Sequence, residues 1–173
     1  GEDLEGRLDG ASRPGHFRGV ATGVAKLFHG VLPHRAYFGQ KDAAQVAVIR
    51  RMTRDLSFPL AIVVCPIVRE PDGVAMSSRN AYLGPADRRA ATVLYRSLRA
   101  AEARFEAGER SGEALRRLLK EGIASEPRAR LDYAAVVDPD TLLPVDRVTG
   151  PALAAVAAWV GPTRLIDNVL LAG

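Results

Sequence analysis

The sequence predicts an α/β protein in which part of a parallel sheet is followed by a small α+β domain. Apolar segments at 35–38 and 60–68 flank a helical pattern at 42–55, and a strand–helix–strand unit of about 35 residues requires two parallel strands. Further along the chain, the pattern changes to two helices followed by separate β segments. We therefore predict domains at 1–79 and 80–173, with 47% hydrophobic residues to fill their cores.

The first domain is predicted to contain an irregular start, a helix and the strand–helix–strand unit. Residues 1–15 are polar and rich in Gly and Pro, which favours irregular structure. Apolar residues recur at helical spacing over 17–31, and Pro33 prevents that helix from continuing. The run 60–68 is continuously apolar, so we expect a strand covered on both faces, with Cys65 in the core.

The second domain is predicted to begin with two helices. Pro85 suits a first helical turn and Gly108 suits a helix end, which together predict a helix over 85–107. Ser111 is expected to cap a second helix over 111–125.

Strands are predicted at 131–137, 152–160 and 164–171. An Asp-Pro-Asp turn at 138–140 follows the first strand, and a Gly-Pro-Thr turn at 161–163 joins the other two. Because alanine fills much of 152–160, helix propensity alone leaves a helix open there.

Charge and composition limit the classes of partner. The net charge is +4, and residues 1–80 carry 11 cations and 8 anions against 13 and 12 in the remainder, which favours a small anionic ligand. Nucleic acid binding is not expected, because only 6% of residues are aromatic and arginines alternate with acids. A single cysteine, no leader and no apolar run of about 18 residues predict a cytoplasmic protein without a membrane partner.

Gly39-Gln40-Lys41-Asp42 is a glycine-led loop between a predicted strand and a predicted helix, a setting in which proteins hold phosphate. The lysine ammonium can reach a phosphate as a compact point charge, and glycine lets the backbone approach a ligand. A solvated surface lysine is the competing interpretation, and Asp42 with Gln45 also fits a helix capping box.

Met76-Ser77-Ser78-Arg79-Asn80 is a second candidate phosphate loop. The serines offer hydroxyl groups and backbone amides, and the guanidinium of Arg79 can hold two oxygens at once. An ordinary polar loop between domains is the competing interpretation. Two cations on one polyphosphate would stabilise the charge that builds during phosphoryl chemistry, so the two loops together predict a nucleotide site.

The remaining polar residues give weaker predictions. Arg13 and His16 lie just before a predicted helix and are candidate substrate-side residues, whereas His29 and His34 are expected either to interact with the end of that helix or to be surface residues. No Cys/His cluster has metal-ligand spacing and no Ser/His/Asp set can be assembled, so no protein metal centre is expected.

Four segments resemble the pantothenate synthetase (pantoate–β-alanine ligase) family. Residues 38–45 are similar to its FGxKDxxQ pattern, and residues 68–83 are similar to VRExDGLAMSSRNxYL. Residues 13–20 and 161–168 resemble its RPxHFxGV and GxTRLIDN segments. The likeness therefore runs almost from end to end.

The resemblance implies an ATP-dependent, AMP-forming carbon–nitrogen ligase of pantothenate and coenzyme A biosynthesis. Its nucleotide-binding domain would be Rossmann-like, of the class I aminoacyl-tRNA synthetase and nucleotidyltransferase type. Pantoate would react with ATP to give pantoyl adenylate and pyrophosphate, and β-alanine would then displace AMP. The resemblance also implies Mg²⁺ with the ATP, no tightly bound organic cofactor, and a homodimer.

Site residues carry over by their position in the family motifs. Lys41 and Arg79 would neutralise charge during adenylate formation, together with Ser77 and Ser78 in a loop similar to the KMSKS type. Gln45 would bind pantoate. The ATP site would be lined by Gly39, Gln40, Lys41, Asp42, Val68, Met76, Ser77, Ser78 and Arg79.

One part of the family pattern has no counterpart in this sequence. The family's His-x-Gly-His motif and its second pantoate-binding glutamine are absent from the chain, which begins at Gly1. We therefore expect an incomplete, poorly active piece that holds half of the active site and a whole C-terminal lid domain. The alternative is a non-catalytic nucleotide-binding or assembly module of the same fold.

Overall fold

The structure is a computed structural model that describes residues 2–173, with side chains from Leu4 onward. The chain divides into two compact units. The first extends to Pro66 and includes Pro139–Leu143, and the second comprises Ile67–Asp138 and Pro144–Gly173. The predicted division between residues 79 and 80 lies further along the chain and stays a prediction.

Two short helices open the first unit, α1 (Glu2–Glu5) and α2 (Asp9–Ser12), followed by the long helix α3 (His16–Val31). The irregular start predicted for residues 1–15 is therefore wrong where the structure describes it. Leu4 is only 1% exposed, and burial of such side chains stabilises short helices that propensity alone would not. Helix α3 ends as predicted before Pro33, where Leu32 takes a left-handed conformation with φ 52° and ψ 55°.

The predicted strand–helix–strand unit is present in the first unit. Strand β1 (Arg35–Gly39) and strand β2 (Ala61–Cys65) pair in parallel and are joined through a 3₁₀ turn at Gln40–Asp42 and helix α4 (Ala43–Asp55). The carboxyl ends of the two strands coincide, because Gly39 pairs with Cys65. The core between this unit and α3 is formed by Phe28, Ile49 and Met52.

Strand β2 is shorter and more exposed than the sequence predicts. It ends at Cys65, directly before Pro66, which lacks the N–H needed to continue the ladder. Its three central residues are half-buried, and Cys65 is exposed. The expectation of a strand covered on both faces with a buried cysteine is therefore wrong for this chain, whose described parallel sheet has two strands.

The second unit packs two helices on an antiparallel sheet. Helix α5 (Pro85–Glu106) and helix α6 (Gly112–Ala124) precede strands β3 (Ala129–Val137), β4 (Ala152–Val160) and β5 (Thr163–Leu171), in the sheet order β3-β4-β5. The predicted cap is confirmed, since Ser111 Oγ accepts from the Ala114 amide at 3.2 Å.

The alanine-rich segment 152–160 is a strand and not a helix. It is the central strand of the sheet, and eight of its nine residues are buried. Small side chains suit that position because they allow α5 to approach the sheet closely. Pairing on both edges therefore outweighs the helix propensity of alanine.

The structure describes no helix with both the length and the apolar character needed to cross a membrane.

Candidate functional site

The first candidate loop lies at the carboxyl end of β1, within the first unit. Gly39 is extended, with φ −78° and ψ 135°, and a Cβ atom added there would meet nothing within 4 Å. Neither its backbone nor its neighbours therefore require glycine. Open space beside the loop is what a close-lying ligand would need. Lys41 and Gln40 follow in the 3₁₀ turn, and both are half-buried.

The proposed capping box at the start of α4 is wrong. Asp42 occupies the N-cap position, but its side chain makes no capping hydrogen bond. The 3₁₀ turn runs directly into α4, and Asp42 has φ −92° and ψ 55° instead of the β-region backbone of a capping residue. Gln45 lies half-buried in the first turn of α4. Helix capping thus does not account for the Asp-x-x-Gln spacing.

The second candidate loop belongs to the second unit and begins with a small hairpin. Arg69 and Ala75 form an antiparallel bridge, and the Met76 amide donates to the Val68 carbonyl at 2.9 Å. Gly73 makes the reversal with φ 93°, a conformation that favours glycine. Val68 and Met76 are therefore neighbours at the base of the hairpin, and both are exposed, by 64% and 50%.

A 3₁₀ turn at Ser78–Tyr82 follows the hairpin. Its N-cap is Ser77, whose Oγ accepts from the Arg79 amide at 3.2 Å. The Asn80 side chain donates through Nδ2 to the Ala75 carbonyl at 3.0 Å, while its Oδ1 is buried without a hydrogen-bond partner among the described residues. Ser77 and Asn80 thus fix the backbone of the loop from both sides.

The exposed guanidinium of Arg79 contacts β5. Its Nη1 donates to the Arg164 carbonyl at 3.3 Å, and the Arg164 side chain pairs in turn with Asp132 of β3 at 2.9 Å. One of the five N–H groups of Arg79 is used in this contact. The second loop is therefore anchored to the antiparallel sheet through its own cation.

A buried ion pair under the hairpin was missed by the sequence analysis. The guanidinium of Arg69 binds the Asp167 carboxylate through two hydrogen bonds, of 2.6 Å and 3.0 Å. The Asp167 side chain is 2% exposed and that of Arg69 is 18% exposed. The signal that could have revealed it is an aspartate within the apolar strand β5, because a buried carboxylate requires a cation.

A second, exposed ion pair holds the tip of the same hairpin. Arg88 of α5 donates to both carboxylate oxygens of Asp72, each at 2.9 Å. These hydrogen bonds from Arg88 hold the pKa of Asp72 below its ordinary value of 3.8, against an opposing effect of burial. The same pairing raises the pKa of Arg88. Asp72 Oδ1 also accepts from the Val74 amide at 3.2 Å.

The other candidate polar residues of the first unit lie at the ends of α3. Arg13 is exposed and its backbone amide donates to the Asp9 carbonyl at 2.8 Å, while His16 is the first residue of α3. His29 lies in the last turn and its ring packs 4.8 Å from that of Phe58. The substrate-side role of Arg13 and His16 stays a prediction.

Among the residues that the structure describes, no group of three or more His, Cys, Asp or Glu side chains could hold a metal ion.

Fold and loops together define a class of protein. It is an α/β protein with a parallel strand–helix–strand unit, a separate antiparallel three-stranded sheet, and a cation-bearing loop of small residues in each unit. A model of the family described as Pantoate-beta-alanine ligase matches residues 1–170. The chain belongs to this family.

Individual relatives of known sequence or structure support the same family. The chain is 69% identical over 173 residues to the pantothenate synthetase of Acidobacterium capsulatum, covering 98% of this chain and 57% of that protein. The crystal structure of pantothenate synthetase from Thermus thermophilus has a TM-score of 0.93 at 47% identity, covering 99% of this chain and 62% of that one.

A second similar structure contains ligands. It is the pantoate-beta-alanine ligase from Francisella tularensis complexed with beta-gamma ATP and beta-alanine, with a TM-score of 0.68 at 30% identity. It covers 97% of this chain and 55% of that one. The chain thus spans little more than half the length of the relatives it matches.

Proposed function

We propose that the complete protein to which this chain belongs is an ATP-dependent ligase that joins pantoate and β-alanine. The observation that carries the proposal is 69% identity to a pantothenate synthetase over nearly the whole chain, together with the family match over residues 1–170. The ATP and beta-alanine in the Francisella structure support the same two substrates.

The reaction would proceed in two balanced steps. A carboxylate oxygen of pantoate attacks the α-phosphorus of ATP, an O–P bond forms, and pyrophosphate leaves with the electrons of the broken P–O bond. The amine nitrogen of β-alanine then attacks the acyl carbon of pantoyl adenylate, loses a proton, and displaces AMP. Negative charge builds on phosphate oxygens in the first step, so fixed cations accelerate it.

Lys41 and Arg79 are the cations that we assign to this role. Lys41 lies half-buried in a turn that follows a strand end, and Arg79 is anchored to the Arg164 carbonyl. An ordered cation costs less to organise at the moment of reaction than a mobile one. Ser77 and Ser78 would add a hydroxyl group and backbone amides to the phosphate oxygens.

The remaining residues that match the family motifs would bind ATP and pantoate. Val68 and Met76 are adjacent, exposed and apolar, which suits the flat face of a nucleotide base. Gly39, Gln40 and Asp42 would line the ATP site from the first loop. Gln45 would bond a hydroxyl or carboxylate oxygen of pantoate through its side-chain amide.

Mg²⁺ would enter with the ATP. Mg²⁺ usually keeps several waters and binds substrate phosphates together with one or two carboxylates. When bound, it would screen the negative charge of the phosphates. We also propose a homodimer, on the strength of the family resemblance, and a cytoplasmic location, because the single cysteine suits a reducing compartment.

The chain by itself is proposed to be nearly inactive, because it covers only 57% of the Acidobacterium protein. The proposal is tested on a full-length version, in which the chain carries the additional family segment of that relative. We expect pyrophosphate release that requires pantoate, and AMP release that requires β-alanine as well.

The isolated chain is the matched control, and we expect it to release neither product at a comparable rate. Binding of ATP by the full-length version without any pantoate-dependent pyrophosphate would instead favour a non-catalytic nucleotide-binding module. Substrate-dependent AMP formation by the isolated chain, at the rate of the full-length version, would contradict the idea that the chain holds only half of the site.

A further inference from the structure

The hairpin that leads into Met76–Arg79 is held from below by one buried carboxylate. Asp167 lies in β5, 98 residues from Arg69 along the chain, and receives both terminal nitrogens of its guanidinium. Its Oδ1 also accepts from the Asn168 amide at 2.8 Å. The paired geometry allows neither partner to rotate without losing a hydrogen bond.

Arg69 transmits this anchor to the hairpin. Its Nη1 also donates to the Gly73 carbonyl at 3.1 Å, so one guanidinium connects β5 to the turn of the hairpin. The guanidinium lies 3.9 Å from the centroid of the Tyr95 ring of α5. The Gly73 backbone packs against the same ring, since an added Cβ would lie 2.4 Å from Tyr95 Cδ1.

The far end of the loop is held by the same strand. Arg79 donates to the Arg164 carbonyl at 3.3 Å, so the segment from Arg69 to Arg79 contacts β5 at both ends. Two hydrogen bonds tie this segment to its flanking residues, because the Met76 amide donates to the Val68 carbonyl and the Asn80 side chain donates to the Ala75 carbonyl. A shift of Asp167 or Arg69 would therefore move the backbone that carries Ser77 and Arg79.

We propose that Asp167 and Arg69 are positioning residues that set the geometry of the Met76–Arg79 loop for transfer of the adenylyl group from ATP to pantoate. This inference rests on the proposed function of the loop. Neither residue need touch substrate. A misplacement of about 1 Å at a reacting group can cost about 100-fold in rate, and the buried pair is the fixed point from which the loop is built.

The test uses Asp167→Asn in the full-length version, with Asp72→Asn as the matched control. Asp72 lies in the same hairpin and also pairs with an arginine, but its side chain is 38% exposed, and asparagine keeps an oxygen for the Val74 amide. We expect Asp167→Asn to lower kcat for pantoate-dependent pyrophosphate release by about 100-fold per folded molecule. The KM for pantoate should change by less than about threefold, because Gln45, which we propose binds pantoate, belongs to the first unit, whereas the hairpin belongs to the second.

The control should stay within about threefold of the parent in kcat, because exposed ion pairs contribute little. Asp167→Glu keeps the charge and should recover part of the lost rate. A lower melting temperature for Asp167→Asn with unchanged kcat per folded molecule would overturn the proposal, because the pair would then serve folding alone.

A second variant and a hydrogen-exchange measurement test the same role if Asp167→Asn fails to fold or if the parent has no ligase activity. Arg69→Lys keeps a buried cation but loses the paired hydrogen bonds, and we expect the same loss of kcat from it. Amide hydrogen exchange of Met76 and Asn80 should be at least about tenfold faster in Asp167→Asn or Arg69→Lys than in Asp72→Asn. Equal exchange rates would overturn the positioning role, whereas an inactive parent would overturn only the proposed function.

Discussion

At the scale of single residues, Lys41 and Arg79 carry their positive charges in groups of different shape. Lys41 carries a compact ammonium in a half-buried turn, while Arg79 carries a planar guanidinium fixed by a backbone carbonyl. An ammonium can follow a phosphate as charge moves during reaction, whereas a guanidinium holds two oxygens in a fixed plane. The two residues are therefore not interchangeable in the proposed mechanism.

Lys41→Ala should separate chemistry from folding. In the full-length version, we expect pyrophosphate release to fall by about 100-fold or more, because one cation would be lost from the developing charge. The free energy of unfolding should change by less than about 1 kcal/mol, because the side chain is only half-buried. The assay is steady-state pyrophosphate release alongside thermal unfolding.

Lys26→Ala is the control, since Lys26 is an exposed lysine of α3. It should leave both the rate and the unfolding free energy nearly unchanged. If the two alanine variants had equal rates, Lys41 would have no part in the reaction.

Asp72→Asn should change how stability depends on pH. The Arg88 hydrogen bonds lower the pKa of Asp72 in the folded chain below 3.8, so the carboxylate stabilises the fold above about pH 4, and this contribution is lost as pH falls below that value. As the pH falls below about 4, we expect the parent to lose up to roughly 1 kcal/mol more of its unfolding free energy than the variant loses. Urea unfolding at several pH values measures this difference, and identical pH profiles would contradict it.

The candidate loops were predictable at this scale, but their support was not. Glycine, lysine, serine and arginine in short loops beside strand and helix patterns indicate a phosphate site from residue chemistry alone. The Arg69–Asp167 pair joins residues 98 positions apart, and no local pattern identifies such a partner. The interpretation of Asp42 and Gln45 as a capping box was wrong, because the 3₁₀ turn before α4 changes the backbone conformation at Asp42.

At the scale of elements, hydrophobic periodicity predicted the long helices and the strand pairs. Helix α6 begins after its predicted cap, and β4 forms although its alanines also favour a helix. The short helices α1 and α2 were missed because burial of side chains such as Leu4 stabilises them, and burial is not visible in local composition. Strand β2 was predicted too long because Pro66 ends its ladder.

Gly122→Ala tests the packing of α6 on α5. A Cβ at residue 122 would lie 2.4 Å from Ser97 Oγ and 2.9 Å from Ser97 Cβ, and Ser97 is buried, with Oγ bonded to the Val93 carbonyl at 2.7 Å. Rotation of the Ser97 side chain would move Oγ but not Cβ, so the two helices must separate at this point. We expect a loss of about 1–3 kcal/mol in the free energy of unfolding, measured in urea.

Gly23→Ala in α3 is the matched control. Gly23 is also within a helix, but nothing lies within 4 Å of an added Cβ. Alanine should stabilise that position by up to about 1 kcal/mol, because it has the higher helix propensity. Stabilisation by both substitutions would show that α5 and α6 do not pack closely at residue 122.

At the scale of the whole molecule, the parallel sheet of the first unit is unusually exposed to solvent. Parallel sheets are normally covered on both faces, but strands β1 and β2 consist of exposed and half-buried residues. The chain also spans only 57% of the Acidobacterium relative. We expect the rest of the family's length to cover this sheet.

Cys65 reports on that covering, because it is the single cysteine of the chain and lies exposed at the end of β2. We expect a thiol reagent to modify it in the isolated chain at a rate close to that in urea. In the full-length version, with any cysteines of the added segment replaced by serine, modification should be at least about tenfold slower. Equal rates in the two proteins would show that the added segment leaves β2 uncovered.

The contact between Gly73 and the Tyr95 ring limits which substitutions can be tolerated at these positions during evolution. Gly73 has φ 93°, so any other residue there would be strained, and its Cβ would also collide with the Tyr95 ring. A smaller residue at position 95 would remove the ring on which Arg69 stacks. Arg69 in turn neutralises Asp167. A change at any one of these four positions alone would give a less stable protein, and no change at the other three relieves the backbone strain at Gly73, so we expect the four residues to be retained together as homologous sequences diverge.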